Sequence, residues 1–271
     1  MTFALAFPTI DPVAVEIGPL AIRWYALSYV LGLVIGWQYV RYLAGKRIEG
    51  LTRRNADDLV VWCTLGVVVG GRLGYVLFYQ PSYYFANPGE IPVVWQGGMS
   101  FHGGLLGVLV VAVLYARLMK ISVLSIGDAI CAAAPIGLFF GRMANFINGE
   151  LYGRASDVSW AMVFPTGGPE PRHPSQLYEA VLEGIVLFAI LAIAAHVGRL
   201  ANRPGTLAGL FFAGYGIARI IGEVFREPDA FLGFIMPGLT MGQVLSLPML
   251  LLGVFLIFRI PPVPRAGGQA G

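Results

Sequence analysis

Charge is what this sequence has least of. Asp, Glu, Lys and Arg make up 12% of the 271 residues, about half of what a soluble domain carries. So little charge excludes a surface that faces water all round. Cysteine is nearly absent: Cys63 and Cys131 stand alone inside apolar runs. That leaves neither a disulfide framework nor a thiolate metal site, and both read as small core residues. Histidine is scarce as well. His102, His173 and His196 fall in three separate places, with no HExxH motif and no paired-carboxylate spacing, so neither a metal nor a cofactor is expected. The bases are scattered and the net charge is only +3, which argues against nucleic acid as a partner. The opening "MTFALAFPTIDP" lacks a basic stretch and is broken by Pro8 and Pro12. It is expected to be an ordered surface segment and not a cleaved signal.

Apolar length is what the chain has in abundance. Hydrophobic residues reach 57% and the mean hydropathy is +0.73. Seven stretches are long and apolar enough to read as membrane-spanning helices, at about 20–40, 58–79, 101–119, 124–144, 175–197, 205–225 and 240–259. With no repeat in the sequence, the expected fold is an all-α polytopic membrane protein forming one domain over 1–271. Segments 80–100 and 146–174 would build extracytoplasmic arms and a small head. Eleven of the 18 Lys and Arg fall in loops on one side of this arrangement. That side is expected to be cytoplasmic, with the N-terminus outside and the C-terminus inside.

The other seven bases are all arginine: Arg23, Arg72, Arg142, Arg154, Arg172, Arg219 and Arg226. Orienting the spans collects them near the outer ends, with Tyr25, His102, Asn145, Asn148, Glu150, His173, Tyr215 and Glu223. A single polar chamber open to the outside is expected. An arginine near the centre of a span costs at least ~2.5–3.5 kcal/mol on insertion scales, so Arg72, Arg142 and Arg219 ask for counter-charges or an anionic ligand. Glu150, Glu179 and Glu223 are the internal counter-charges on offer. A guanidinium fork also suits a phosphate, and the nearest abundant phosphate in a membrane is a phospholipid headgroup. The blander alternatives stand beside these readings. Asn145 and Asn148 fit helix caps, His173 fits a residue that fixes the start of its span, and the arginines fit a structural ion-pair cluster. A lipid or anion transporter would also have a polar chamber. It would call for polar inner halves and a structural repeat, and the sequence has neither.

"GRMANFINGELYG" resembles the signature GRxxNFxNxExxG of the bacterial prolipoprotein diacylglyceryl transferases. "IRWYAL", "GGRLGYVLFY", "GGMSFHGGLLG", "RHPSQLYEAVLEG", "GYGIARIIGEVFREPD" and "MGQVLSLPM" extend the resemblance, in order, across nearly the whole chain. The resemblance implies an enzyme of the bacterial inner membrane that moves the diacylglyceryl group of phosphatidylglycerol. The acceptor is the lipobox cysteine thiol at the outer end of a prolipoprotein signal peptide; a thioether forms and glycerol phosphate leaves. The family's essential residues match Tyr25, His102, Arg142, Asn145, Glu150, Gly153, Tyr215 and Arg219. In this reading Arg142 and Arg219 stabilise the departing phosphate ester, His102 is the base for the thiol, and Tyr25 and Tyr215 are supporting donors. Asn145, Glu150, Gly153 and Glu223 join the two arginines in binding phosphatidylglycerol. The segment from Arg154 to Arg172 lies outside the motifs.

Overall fold

The computed structural model describes residues 5–8, 10–18, 20–48, 50–197, 203–228, 233–236 and 238–259. Arg199 and Arg265, two of the eleven bases assigned to the cytoplasmic side, lie outside them. The chain divides into two compact units, 40–129 and the remainder, with the boundaries inside two helices.

Within 40–129, α2 (Arg53–Phe78) and α4 (Phe101–Met119) form the main helix pair. α2 begins five residues earlier than hydropathy predicts, because Thr52 and Asn55 form a reciprocal capping box that makes the charged run "RRNADD" helical. Ser100 caps α4, its hydroxyl accepting from the Gly103 amide at 3.2 Å. Gly66, Gly70 and Gly74 on α2 face Gly103 and Gly107 on α4. A Cβ on Gly74 would lie 2.7 Å from the Gly103 Cα, and one on Gly107 would run into the Gly66 carbonyl. Small residues at this spacing let two membrane helices touch along their backbones. The glycines flanking His102 therefore admit α2. Between the two helices the chain forms a short helix, α3 (Pro81–Ala86), and two single 3₁₀ turns.

The other unit holds α1 (Trp24–Leu43) up to the boundary, most of α5 (Val123–Ile147), and α6 (Ser175–His196), α7 (Thr206–Phe225) and α8 (Met241–Arg259). α6 carries a π-helical stretch over Ala180–Val186. α7 and α8 pack closely where Gly209, Gly216 and Gly253 meet facing backbone. Residues 146–174 and the N-terminal segment share a small aromatic core. Phe7 sits 5.3 Å from Phe146 and 5.0 Å from the buried Phe164, and Tyr152 stacks on Phe164.

Among the described residues, six helices are long and apolar enough to cross a membrane: α2, α4, α5, α6, α7 and α8. α1 has the length, but its tyrosines, Gln38 and Arg41 dilute its apolar character. It also starts at Trp24 and not near residue 20. Residues Leu20–Arg23 (β3) instead pair antiparallel with Val13–Ile17 (β2) across a turn in which Gly18 adopts φ +60°. Two further two-stranded sheets, Leu5–Ala6 (β1) with Met162–Val163 (β4) and Phe234–Met236 (β5) with Leu239–Thr240 (β6), complete the strands among the described residues. The protein is thus mostly helical, with short strands that hydropathy does not announce.

Candidate active site

The last turn of α5 sets out the signature. Arg142 and Asn145 are three residues apart and share a helix face. The chain then turns at Gly149 (φ +66°) and Leu151 (φ +56°), which swings Glu150 back beneath the helix. Its amide donates to the Asn145 carbonyl at 3.0 Å, and its Oε1 accepts from Asn145 Nδ2 at 2.8 Å and Asn148 Nδ2 at 3.3 Å. The two asparagines therefore fasten the signature glutamate as they end the helix. The first turn of α6 fixes the same turn from the other side. Ser175 Oγ donates to the Leu151 carbonyl at 3.1 Å, and Gln176 Nε2 to the Glu150 carbonyl at 2.6 Å.

One turn along α6, Glu179 and then Glu183 point from one face, both wholly buried. Arg142 grips both, with Nη1 3.0 Å from Glu179 Oε2 and Nη2 3.1 Å from Glu183 Oε2. α7 brings Arg219, whose Nη1 lies 2.9 Å from Glu179 Oε1 and whose Nη2 pairs with Glu223 one turn on. Arg226 Nη1 reaches Glu179 Oε1 at 3.4 Å. Glu223 also accepts from Thr240 Oγ1 at 2.7 Å, and a Cβ on Gly242 would meet its carboxylate at 2.5 Å. Three guanidiniums and three carboxylates thus form one cluster, with the carboxylates and Arg226 buried and Arg142 and Arg219 half-buried. Such a network is worth little as net stability, because desolvation offsets most of the attraction. Removing one member leaves a buried charge uncompensated, which costs about 3–5 kcal/mol.

Tyr215 lies within electrostatic reach of Arg142, Arg219, Glu179 and Glu183, and its ring stacks on Phe211. Tyr25 is within such reach of Arg142 and Glu150, its hydroxyl 3.2 Å from that of Tyr29. Gly153 stands where two backbones nearly touch. Its amide donates to the His173 carbonyl at 2.8 Å, and a Cβ would run into the Phe225 carbonyl. His173 holds this corner: its Nδ1 is 3.1 Å from the Tyr178 hydroxyl, and its ring packs on Phe225. Burial lowers its pKa from the usual value, which keeps it neutral near pH 7.

In the 40–129 unit, His102 is exposed on the first turn of α4, edge-on to Phe101. Arg72 departs from expectation. Its Nε donates to the Ile91 carbonyl, its Nη1 to those of Gly97 and Gly98, and its Nη2 to that of Glu90, at 2.7–3.1 Å. Its guanidinium also lies over the Tyr84 ring. Four of its five N–H groups are therefore taken by backbone, and this arginine secures the 88–98 loop and has no fork left for an anion. Arg154 and Arg172 do similar work in the 146–174 segment. Arg154 donates to the carbonyls of Arg226 and Glu223, and Arg172 to those of Gly167 and Gly153. Glu183 is the site residue that reading the sequence missed. Two carboxylates four residues apart inside an apolar run were the signal for it.

Comparison with known proteins places the chain in a family. A family profile described as prolipoprotein diacylglyceryl transferase matches residues 12–259. The phosphatidylglycerol–prolipoprotein diacylglyceryl transferase of Paramagnetospirillum magneticum is 60% identical over 258 residues, covering 95% of this chain and 96% of its own length. The protein of that name from Rhodospirillum rubrum is 57% identical, covering 99% and 100%. The one from Azospirillum brasilense is 56% identical, covering 97% and 99%. The chain belongs to the prolipoprotein diacylglyceryl transferase family.

Proposed function

From that membership we propose that the chain transfers the diacylglyceryl group of phosphatidylglycerol to the lipobox cysteine thiol of a prolipoprotein. The thiol sulfur attacks the glyceryl carbon bonded to the phosphate oxygen. A C–S bond forms, the C–O bond breaks, the thiol proton passes to a base, and glycerol phosphate departs. The observation that carries this reading beyond the family name is the buried arginine–glutamate cluster. Arg142 and Arg219, drawn together by Glu179, present preorganised positive charge in a low-dielectric setting, where it acts most strongly on a developing phosphate anion. His102 takes the thiol proton, the thiol having a free pKa near 8.5. Tyr25 and Tyr215 supply supporting hydrogen bonds. Asn145 and Glu150 hold the lipid together with the two arginines, Glu223 orients Arg219, and Gly153 lets the surrounding backbone close.

In this reading α1 is a seventh span, the N-terminus lies outside and the C-terminus in the cytoplasm of the bacterial inner membrane. The segments 80–100 and 146–174 are extracytoplasmic, and the reaction runs at outer-leaflet depth among membrane lipids. The purified protein, given phosphatidylglycerol and a lipobox peptide, should yield a thioether-linked diacylglyceryl peptide, detectable by mass. No product from folded protein overturns the reading. Reporter fusions after Gly50 and Gly167 test the orientation and should report cytoplasm and exterior respectively.

A further inference from the structure

Glu183 is placed by an irregularity of its own helix. Over Ala180–Val186 the α6 backbone widens to a π-helix, and at its end the Leu187 amide donates to the Leu182 carbonyl, five residues back. Widened turns of this kind are rare and frequently mark functional sites. Gly184 lets the stretch press against α5. A Cβ there would lie 2.7 Å from the Cβ of Phe139, which stands one turn before Arg142 on α5. The carboxylate of Glu183 is therefore delivered to Arg142 from a backbone that close packing fixes.

The contact it makes is one-sided. Its Oε2 alone accepts from Arg142 Nε at 3.3 Å and from Nη2 at 3.1 Å. Its Oε1 accepts no hydrogen bond among the described residues and lies 3.8 Å from Arg219 Nη1. A pair built for stability alone would set both carboxylate oxygens on the fork, because a polar atom buried without a partner is costly. Here the carboxylate closes the Nε side of Arg142. The N–H groups that remain are all on Nη1 and Nη2.

We propose that Glu183 is a positioning residue for the transfer reaction: by holding the Nε side of Arg142, it turns the Nη end of the fork toward the departing phosphate. It acts through Arg142 and touches no reacting atom. This rests on the transferase reading above and adds to it the residue that sets the aim of Arg142.

The test is a mutant cycle read in kcat and KM, with phosphatidylglycerol and a lipobox peptide as substrates. Glu183→Gln keeps the size of the side chain and removes the charge that holds the fork. Misplacing a group by about 1 Å can cost about a hundredfold. The kcat per folded molecule should fall about ten- to a hundredfold, with KM for phosphatidylglycerol unchanged or lower, since a released arginine still attracts phosphate. In an Arg142→Lys background there is no fork to aim, and the same substitution should change kcat by less than about twofold. Glu183→Asp keeps the charge but stops one methylene short. Its kcat should fall likewise, and it carries the test if Glu183→Gln does not fold. A folded Glu183→Gln or Glu183→Asp enzyme with wild-type kcat overturns the proposal. So do losses that multiply in the double variant, the result that a role independent of Arg142 would give. If the wild type itself makes no thioether product, the transferase reading has failed and takes this one with it.

Discussion

Two regions of this protein draw arginine inward, and they do it differently. In the 40–129 unit, Arg72 is surrounded by four backbone carbonyls and an aromatic ring. In the other unit, Arg142 and Arg219 face carboxylates. Carbonyls that belong to a folded loop cannot leave without unfolding it, so Arg72 is a fastening. Carboxylates on side chains can share or yield a guanidinium when another anion arrives, so in the proposed reaction Arg142 and Arg219 hold charge in readiness for the phosphate. An intramembrane arginine therefore signals function through the nature of its partner, and the insertion cost alone does not distinguish the two cases.

The strongest way to break this comparison is at Arg142. Arg142→Ala should reduce transfer by ~10²–10³. Arg142→Lys should be nearly as poor, because an ammonium cannot span two carboxylates and a phosphate as the fork does. Normal turnover by the lysine variant at normal expression would show that bidentate geometry is dispensable there. His102→Gln asks whether the unit that contains Arg72 is only scaffolding. The loss should be about 10² at pH 7. The residual rate should climb with pH as the peptide thiol ionises unaided toward its pKa near 8.5. A flat profile, or full activity at pH 7, would remove His102 from the mechanism. Arg72→Ala should leave the rate per folded molecule unchanged but destabilise the protein by about 1–3 kcal/mol, since four partly buried carbonyls lose their donor. Lower kcat in a stable Arg72→Ala enzyme would erase the distinction drawn here.

Much of this was legible in the sequence, and the parts that were not have a common cause. Apolar runs announce α2 and α4–α8, because a membrane span is a local property of composition. The start of α1 was hidden, because whether "LAIR" extends a helix or pairs with Val13–Ile17 depends on a partner strand. The fate of Arg72 was hidden for the same reason. Its carbonyl partners lie 18 to 26 residues away in a loop with no motif of its own. The convergence of Arg142, Asn145, Glu150 and Arg219 was readable from motifs, and Tyr215, Arg219, Glu223 and Arg226 from helical spacing. Glu183 was equally readable from its spacing to Glu179.

The smallest expected effect separates charged clamps from a neutral one. Arg72 and its carbonyl partners contain no group that titrates between pH 5 and 8, so the stability they confer should be level across that range. His173 clamps the corner between Gly153 and Phe225 as a neutral ring, its pKa held down by burial. Its folded-state pKa lies below that of the unfolded chain, about 6.5. As pH falls through 6.5, the unfolded chain takes up the proton first. The contribution of His173 is therefore complete above that value and declines below it. The midpoint of thermal unfolding should fall slightly between pH 7.5 and 5.5 in the wild type. In His173→Gln, which keeps a polar side chain without the titration, the part of this slope due to His173 should vanish. Identical slopes in the two proteins would mean that the proton is taken up elsewhere, and that this corner is held by the backbone contacts of Gly153 alone.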